Sequence, residues 1–199
     1  MRTYSGVWSA LSLLALCSCG RVHYPAVDDL TLVSVDVLQQ SEIADHDKFW
    51  SPGVITTPLV RVRVSSRRDF QKIAREWGYN VDNQTSLCKN KSMDPKRPLE
   101  GFPLVFDRFG MINSYNEKHP DSGSGQSGRI TYSVYFDPRD VDNVNFYHYD
   151  LVKSPEDVCI VITGLQEIGG DFAIASFRSN TILVSKVEII AAIARAGLK

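Results

Sequence analysis

Apolar and polar positions alternate with period two in several stretches of this chain and with helical period in only two. From Leu30 to Leu38, Val33, Val35 and Val37 fall on one face, the pattern of a half-buried strand. Val60, Val62 and Val64 face one way, and Arg61 and Arg63 the other. Ile130, Tyr132, Val134 and Phe136 alternate with Thr131, Ser133 and Tyr135. Val158 to Thr163 is apolar on both faces, which predicts a central strand. Shorter signals predict a hairpin over 102–112, turning at Asp107-Arg108-Phe109-Gly110. A second hairpin is predicted from Phe172–Phe177 and Thr181–Val184 about Ser179-Asn180. Phe146 to Asp150 is aromatic and reads as extended.

The first helical stripe is Phe70, Ile73, Ala74 and Trp77, with Gly78 as its stop. Ser66 precedes Asp69 by three residues, close to a capping box. The second helix opens with the capping box Ser185-Lys-Val-Glu188 and closes at Gly197. Its spacing puts Val187, Ile190 and Ile193 on one side, with Ile189 and Ala194 beside them. Three polar stretches read as loops: 39–53, 79–101 and the region near 116–128, whose Ser122–Gly128 tract predicts mobility. Strands in mostly hairpin order with two amphipathic helices predict an α+β fold. It is antiparallel, β-rich and sandwich-like, forming one domain over 31–199.

The amino terminus carries one cation, an apolar run from Val7 to Leu16, and then Leu16-Cys17-Ser18-Cys19-Gly20. This is the order of an export signal. The run is too short to cross a bilayer, which needs about 20 apolar residues. The order Leu16, Cys17, Ser18, Cys19 resembles the lipobox of bacterial lipoproteins. The resemblance implies a signal peptide over 1–18, a diacylglycerol on Cys19 and acylation of its new amino group. It also implies a lipidated tether over 19–30. Gly20 stands where a retention signal would place Asp, which implies an outer-membrane anchor with the body in the periplasm. Two or more acyl chains hold a protein stably where one does not. The alternative is a soluble secreted protein in which Cys19 is incidental.

With Cys19 acylated, Cys88 and Cys159 remain in an oxidising compartment. Their pairing would close a loop of about 70 residues, contributing on the order of 4 kcal/mol. Two separate buried thiols are the alternative, since Cys159 lies in an apolar strand pattern.

The chain has 22 Lys+Arg and 23 Asp+Glu. That balance offers no basic face, so nucleic acid is not an expected partner. Gly-x-Ser-x-Gly, His-Glu-x-x-His and phosphate-loop motifs are missing from the sequence. His23, His46, His119 and His148 show no ligand spacing. Neither catalysis, metal nor cofactor is expected.

In its lipobox, its size and the segment Tyr149-Asp150-Leu151 to Ser154-Pro155-Glu156-Asp157-Val158-Cys159-Ile160-Val161-Ile162-Thr163-Gly164, the chain resembles the immunity lipoproteins encoded beside type VI secretion effectors. The resemblance implies a protein partner: a toxic effector reaching the periplasm, with phospholipases a leading class. Aromatic and Arg anchors dominate tight interfaces. The candidate contact residues are Phe109 and Tyr115 in the 107–128 loop, and Phe146, Tyr147, His148 and Tyr149. Two other readings are an accessory lipoprotein of an envelope or secretion complex, and an envelope enzyme whose site is assembled from scattered residues.

Overall fold

The computed structural model describes residues 27–43, 58–78, 80–99, 101, 103–112, 120, 128–140, 148–168 and 172–198. Residues 1–26, with the expected signal peptide and Cys19, most of the 116–128 loop, Tyr115, Phe146 and Tyr147 lie outside the described residues. In chain order the elements are β1 (Thr31–Leu38), β2 (Leu59–Ser66), α1 (Phe70–Trp77), β3 (Asn80–Lys89), β4 (Ser92–Pro98) and β5 (Phe106–Asp107). There follow β6 (Gly110–Met111), β7 (Ile130–Phe136), β8 (Val158–Ile168), β9 (Phe172–Arg178), β10 (Ile182–Val184) and α2 (Lys186–Arg195).

Two antiparallel sheets result. One has the order β1-β2-β7-β5-β6; in the other, β10-β8-β3-β4 form a path and β9 also pairs with β8. The predicted alternation decides which side of each strand is buried. Val60, Val62 and Val64 from β2 and Tyr132, Val134 and Phe136 from β7 meet Val158, Ile160 and Ile162 from β8 in one core. Phe70, Ile73 and Ala74 from α1 and Ile189, Ala192 and Ile193 from α2 join that core. The fold is therefore antiparallel and β-rich with two helices, as the pattern predicts.

Several local expectations change. Val33 does not share a face with Val35 and Val37. The pairing of β1 with β2 slips between Leu32 and Ser34, so Val33 bulges outward and is 51% exposed. The cap of α1 is Asp69, whose carboxylate accepts from the Lys72 amide at 3.0 Å, and not Ser66. Ser66 instead donates to Asp29 Oδ1 at 2.6 Å. The stretch 79–101 is largely the hairpin β3–β4, turned at Asn90 and Lys91. Both turn residues have positive φ (53° and 60°), as a two-residue type I′ turn demands. Pro95 and Pro98 are tolerated because β4 is an edge strand of its sheet.

The predicted 172–184 hairpin does not form. β9 and β10 both lie antiparallel to β8, at Thr163–Ile168 and Val158–Ile160. Ser179-Asn180 interrupts one edge strand, and Ser179 keeps the pairing continuous by hydrogen bonds to Ile162 in both directions. On α2, the buried stripe is Ile189, Ala192 and Ile193, while Val187 and Ile190 face solvent. Ile193 belongs to both stripes. The choice follows the capping box and the Lys186 amide, which Asp157 Oδ1 holds at 2.7 Å.

Residues 27–30 belong to the body and not to a free tether. Val27 bridges Ser179, and Asn180 holds Leu30 through its amide side chain at 2.9 and 3.0 Å. Asp29 adds a second clamp. Partial burial pushes its carboxyl up, but the Ser66 hydroxyl, the Arg67 amide and the Arg129 and Arg68 guanidiniums outweigh that and hold it below its usual value of 3.8. A lowered folded value contributes stability that is complete above 3.8 and is lost as pH falls through the folded value. Asp29→Asn is expected to flatten that part of an acid-unfolding curve followed by circular dichroism. An unchanged curve would remove the clamp.

The chain passes from one sheet to the other through Gly101, which bridges Phe136. A Cβ there would sit 2.7 Å from the Tyr135 carbonyl oxygen and 2.8 Å from Phe136 Cα. Backbone cannot yield as a side-chain tip does, so glycine is required for this crossing.

Candidate functional site

Cys88 and Cys159 form a disulfide, with their Cα atoms 5.2 Å apart. Register explains the pairing. Cys159 lies opposite Ser86, two residues before Cys88, and the Cys88 amide donates to Asp157 at 2.9 Å. The bond therefore crosses neighbouring strands β3 and β8 diagonally. Beside it, Arg97 makes a two-pronged pair with Glu156 at 3.0 and 2.6 Å.

Among the predicted contact residues, Phe109 stands out by position. It is 41% exposed at the β5–β6 turn, with the Arg108 guanidinium 4.5 Å from its ring centre. The turn is held by local contacts. Asp107 Oδ1 accepts the Phe109 amide at 2.8 Å, and Gly110 supplies a φ of 124°. Beneath it, Phe106 packs edge-on against Tyr135 at 5.6 Å in a small cluster with Ile43 and Leu59. An exposed aromatic and an Arg are thus presented on a supported turn.

The second predicted patch is divided. His148 is exposed and its Nδ1 lies 3.2 Å from Asp140 Oδ2, whose side chain is buried. Tyr149 is only 7% exposed, and its hydroxyl donates to the Asp137 carbonyl at 3.2 Å. Tyr149 is thus a core residue, in departure from its expected place on a contact surface. It stitches 137–140 to 148–151, as do the Arg139–Asp150 pair at 3.4 Å and the Leu151 amide on Pro138. Partial burial raises the Asp150 carboxyl, yet the Lys153 amide, Arg139, the Val152 amide and Lys153 hold it below the usual carboxylate range.

The antiparallel pairing of Phe106 with Ser133 sends the Arg108-Phe109 turn toward the Ile130 end of β7. His148 follows the Phe136 end. Of the predicted contact residues that are described, Phe109 and His148 therefore lie toward opposite ends of β7.

Sequence reasoning passed over a cleft of about 670 Å³ beside β3, lined in part by Gln84, Met93, Pro98, Leu99, Pro103 and Arg178. Gln84 and Arg178 carry no motif, and only the β3–β8–β9 pairing brings them together. Nearby on β3, Asp82 is half-buried, and burial raises its carboxyl. Among the described residues, no three His, Cys, Asp or Glu side chains group to hold a metal, and no helix is long and apolar enough to cross a membrane. Set against protein-family models, curated proteins and solved structures, the chain matches none.

Proposed function

We propose that this chain is a lipid-anchored periplasmic protein that binds and neutralises a toxic exported effector, an immunity protein of the type VI kind. Phospholipase effectors are the first class to test. The observation that carries the reading is the exposed Arg108–Phe109 pair on a hydrogen-bonded turn of a cystine-linked domain. Cystines persist in oxidising compartments, in agreement with the export signal and the lipobox. The clamps on Val27 to Leu30 leave eight residues, 19–26, between lipid and body. At full extension they reach about 29 Å, which keeps the domain close to the membrane that the effector attacks.

Inhibition by covering an active-site mouth needs no chemistry from the inhibitor, only a complementary surface of about 1,600 Å². Aromatic and Arg side chains are the usual anchors of such surfaces, and truncating one costs about 2–4 kcal/mol. Phe109→Ala combined with Arg108→Ala is therefore expected to weaken effector binding by about thirty-fold or more, with no change in thermal unfolding. Co-purification of the full chain with the toxin encoded by an adjacent gene, followed by an assay of toxin activity, tests the function. Complex formation with loss of toxin activity is the expected result. Failure to bind any neighbouring product overturns the reading.

A further inference from the structure

We infer that the cleft beside β3 is a carboxylate-binding site in which Arg178 and Gln84 hold the anion. This inference stands independently of the effector reading. Arg178 lies across from Thr163 on β8, which in turn lies across from Asp82 on β3. Its guanidinium does not engage that acid. It leans toward the cleft, 3.4 Å from Gln84 Oε1 and 3.5 Å from Met93 Sδ. The Gln84 contact is long for a guanidinium donor, the Met93 thioether is a weak acceptor, and both acceptors are neutral. Among the described residues Arg178 has no carboxylate partner. An exposed cation lining a cavity of about 670 Å³ is thus left with donors to spare.

The neighbouring side chains divide by what they have left to offer. Asn83 Nδ2 donates to Leu104 O, and Asn83 Oδ1 accepts from the Thr85 hydroxyl, so these two are satisfied. Gln84 offers its oxygen to Arg178, which leaves its NH₂ group as a donor. The prolines of the wall, Pro95, Pro98 and Pro103, have no N–H. Unspent donors and one positive charge call for an anionic acceptor. A guanidinium fork matches the two oxygens of a carboxylate. One cation fits one negative charge, and a dianionic phosphate would place its second charge on the face that carries Asp82. Met93, Leu99 and the prolines supply apolar wall for a short chain behind the carboxylate. The ligand class is a monocarboxylate with an apolar body. It is either a free small acid or the carboxy terminus of a peptide.

The test is an NMR titration of the full chain in mild detergent, following the Arg178 Nε–H and the Gln84 side-chain amide. The probes are acetyl-trialanine with a free carboxylate, the same peptide as its amide, and hexanoate. The expected result is movement of both resonances with the peptide acid but not with the peptide amide. Arg178→Gln should weaken binding by about tenfold or more, and Arg178→Lys should restore it only in part. A response to hexanoate as well identifies free acids as ligands; a response to the peptide acid alone identifies a peptide terminus. Equal response to the amide, unchanged binding in Arg178→Gln, or no movement with any probe at about 10 mM, where even millimolar affinity saturates, overturns the site.

Discussion

Replacing Cys88 and Cys159 together by alanine is expected to lower unfolding stability by about 4 kcal/mol. The bond closes a loop spanning 71 positions of sequence, and the entropy it removes from the unfolded chain grows with the logarithm of that length. The partner strands are already hydrogen-bonded over Asn80–Leu87 and Val158–Leu165, so the native sheet needs no cystine to define its register. The variant should therefore keep its fold and lose stability, with a melting temperature lower by roughly 10 °C for a domain of this size. Thermal unfolding of the parent with and without reductant, beside the double variant, measures this. The reduced parent and the variant should coincide. A shift under about 2 °C would mean that the cystine constrains little beyond what the β3–β8 ladder already does.

Phe70→Ala is expected to cost about 3–5 kcal/mol, the range for truncating a fully enclosed aromatic. Phe70 has no exposed surface. It stacks on Phe177 at 5.8 Å and leans on Tyr132 at 4.6 Å. It is also the first residue of a helix only eight residues long, too short to persist without packing. Tyr132 fixes the entry to that helix twice, since its hydroxyl donates to Arg68 O at 2.7 Å and accepts the Phe70 amide at 3.0 Å. Loss of the ring should therefore release α1 as a unit. Urea unfolding reports the cost, and hydrogen exchange of the 70–77 amides reports where it falls. A loss below about 1 kcal/mol, or exchange unchanged in α1, would show that Ile73 and Ala74 suffice to hold the helix.

What could be read from the sequence followed the period of its apolar residues. β2 and β7 alternate cleanly, and β8 is apolar on both faces; each lies where its pattern predicts. The capping box of α2 and the Gly78 stop of α1 were equally plain, because each is a local arrangement of backbone and a neighbouring side chain. β3 was hidden by its composition. Asn83, Thr85 and Ser86 are buried or half-buried polar residues, and Asn83 and Ser86 are satisfied by Leu104 and Asp94, partners that other segments supply. The Val33 bulge and the Ser179-Asn180 interruption were hidden for a related reason. Each depends on pairing with a distant strand, and neither leaves a period of its own. Of the candidate contacts, the exposed Phe109 was legible from its turn, whereas the burial of Tyr149 depends on Asp137, twelve residues away. Arg178 and Gln84 lie 94 positions apart and meet only through β8.

The clamps at Asp29 and Asn180 fasten residues 27–30 to the domain, so a lipid on Cys19, as proposed, would hold that domain near a membrane. That junction matters only if the polypeptide leaves the cytoplasm and receives lipid. Intact-mass spectrometry of the protein extracted from cell membranes tests this most directly. The expected species begins at Cys19, carries a diacylglycerol and an amide-linked acyl chain, and vanishes from the membrane in Cys19→Ser. An unmodified chain retaining residues 1–18 and recovered from the cytosol would contradict it.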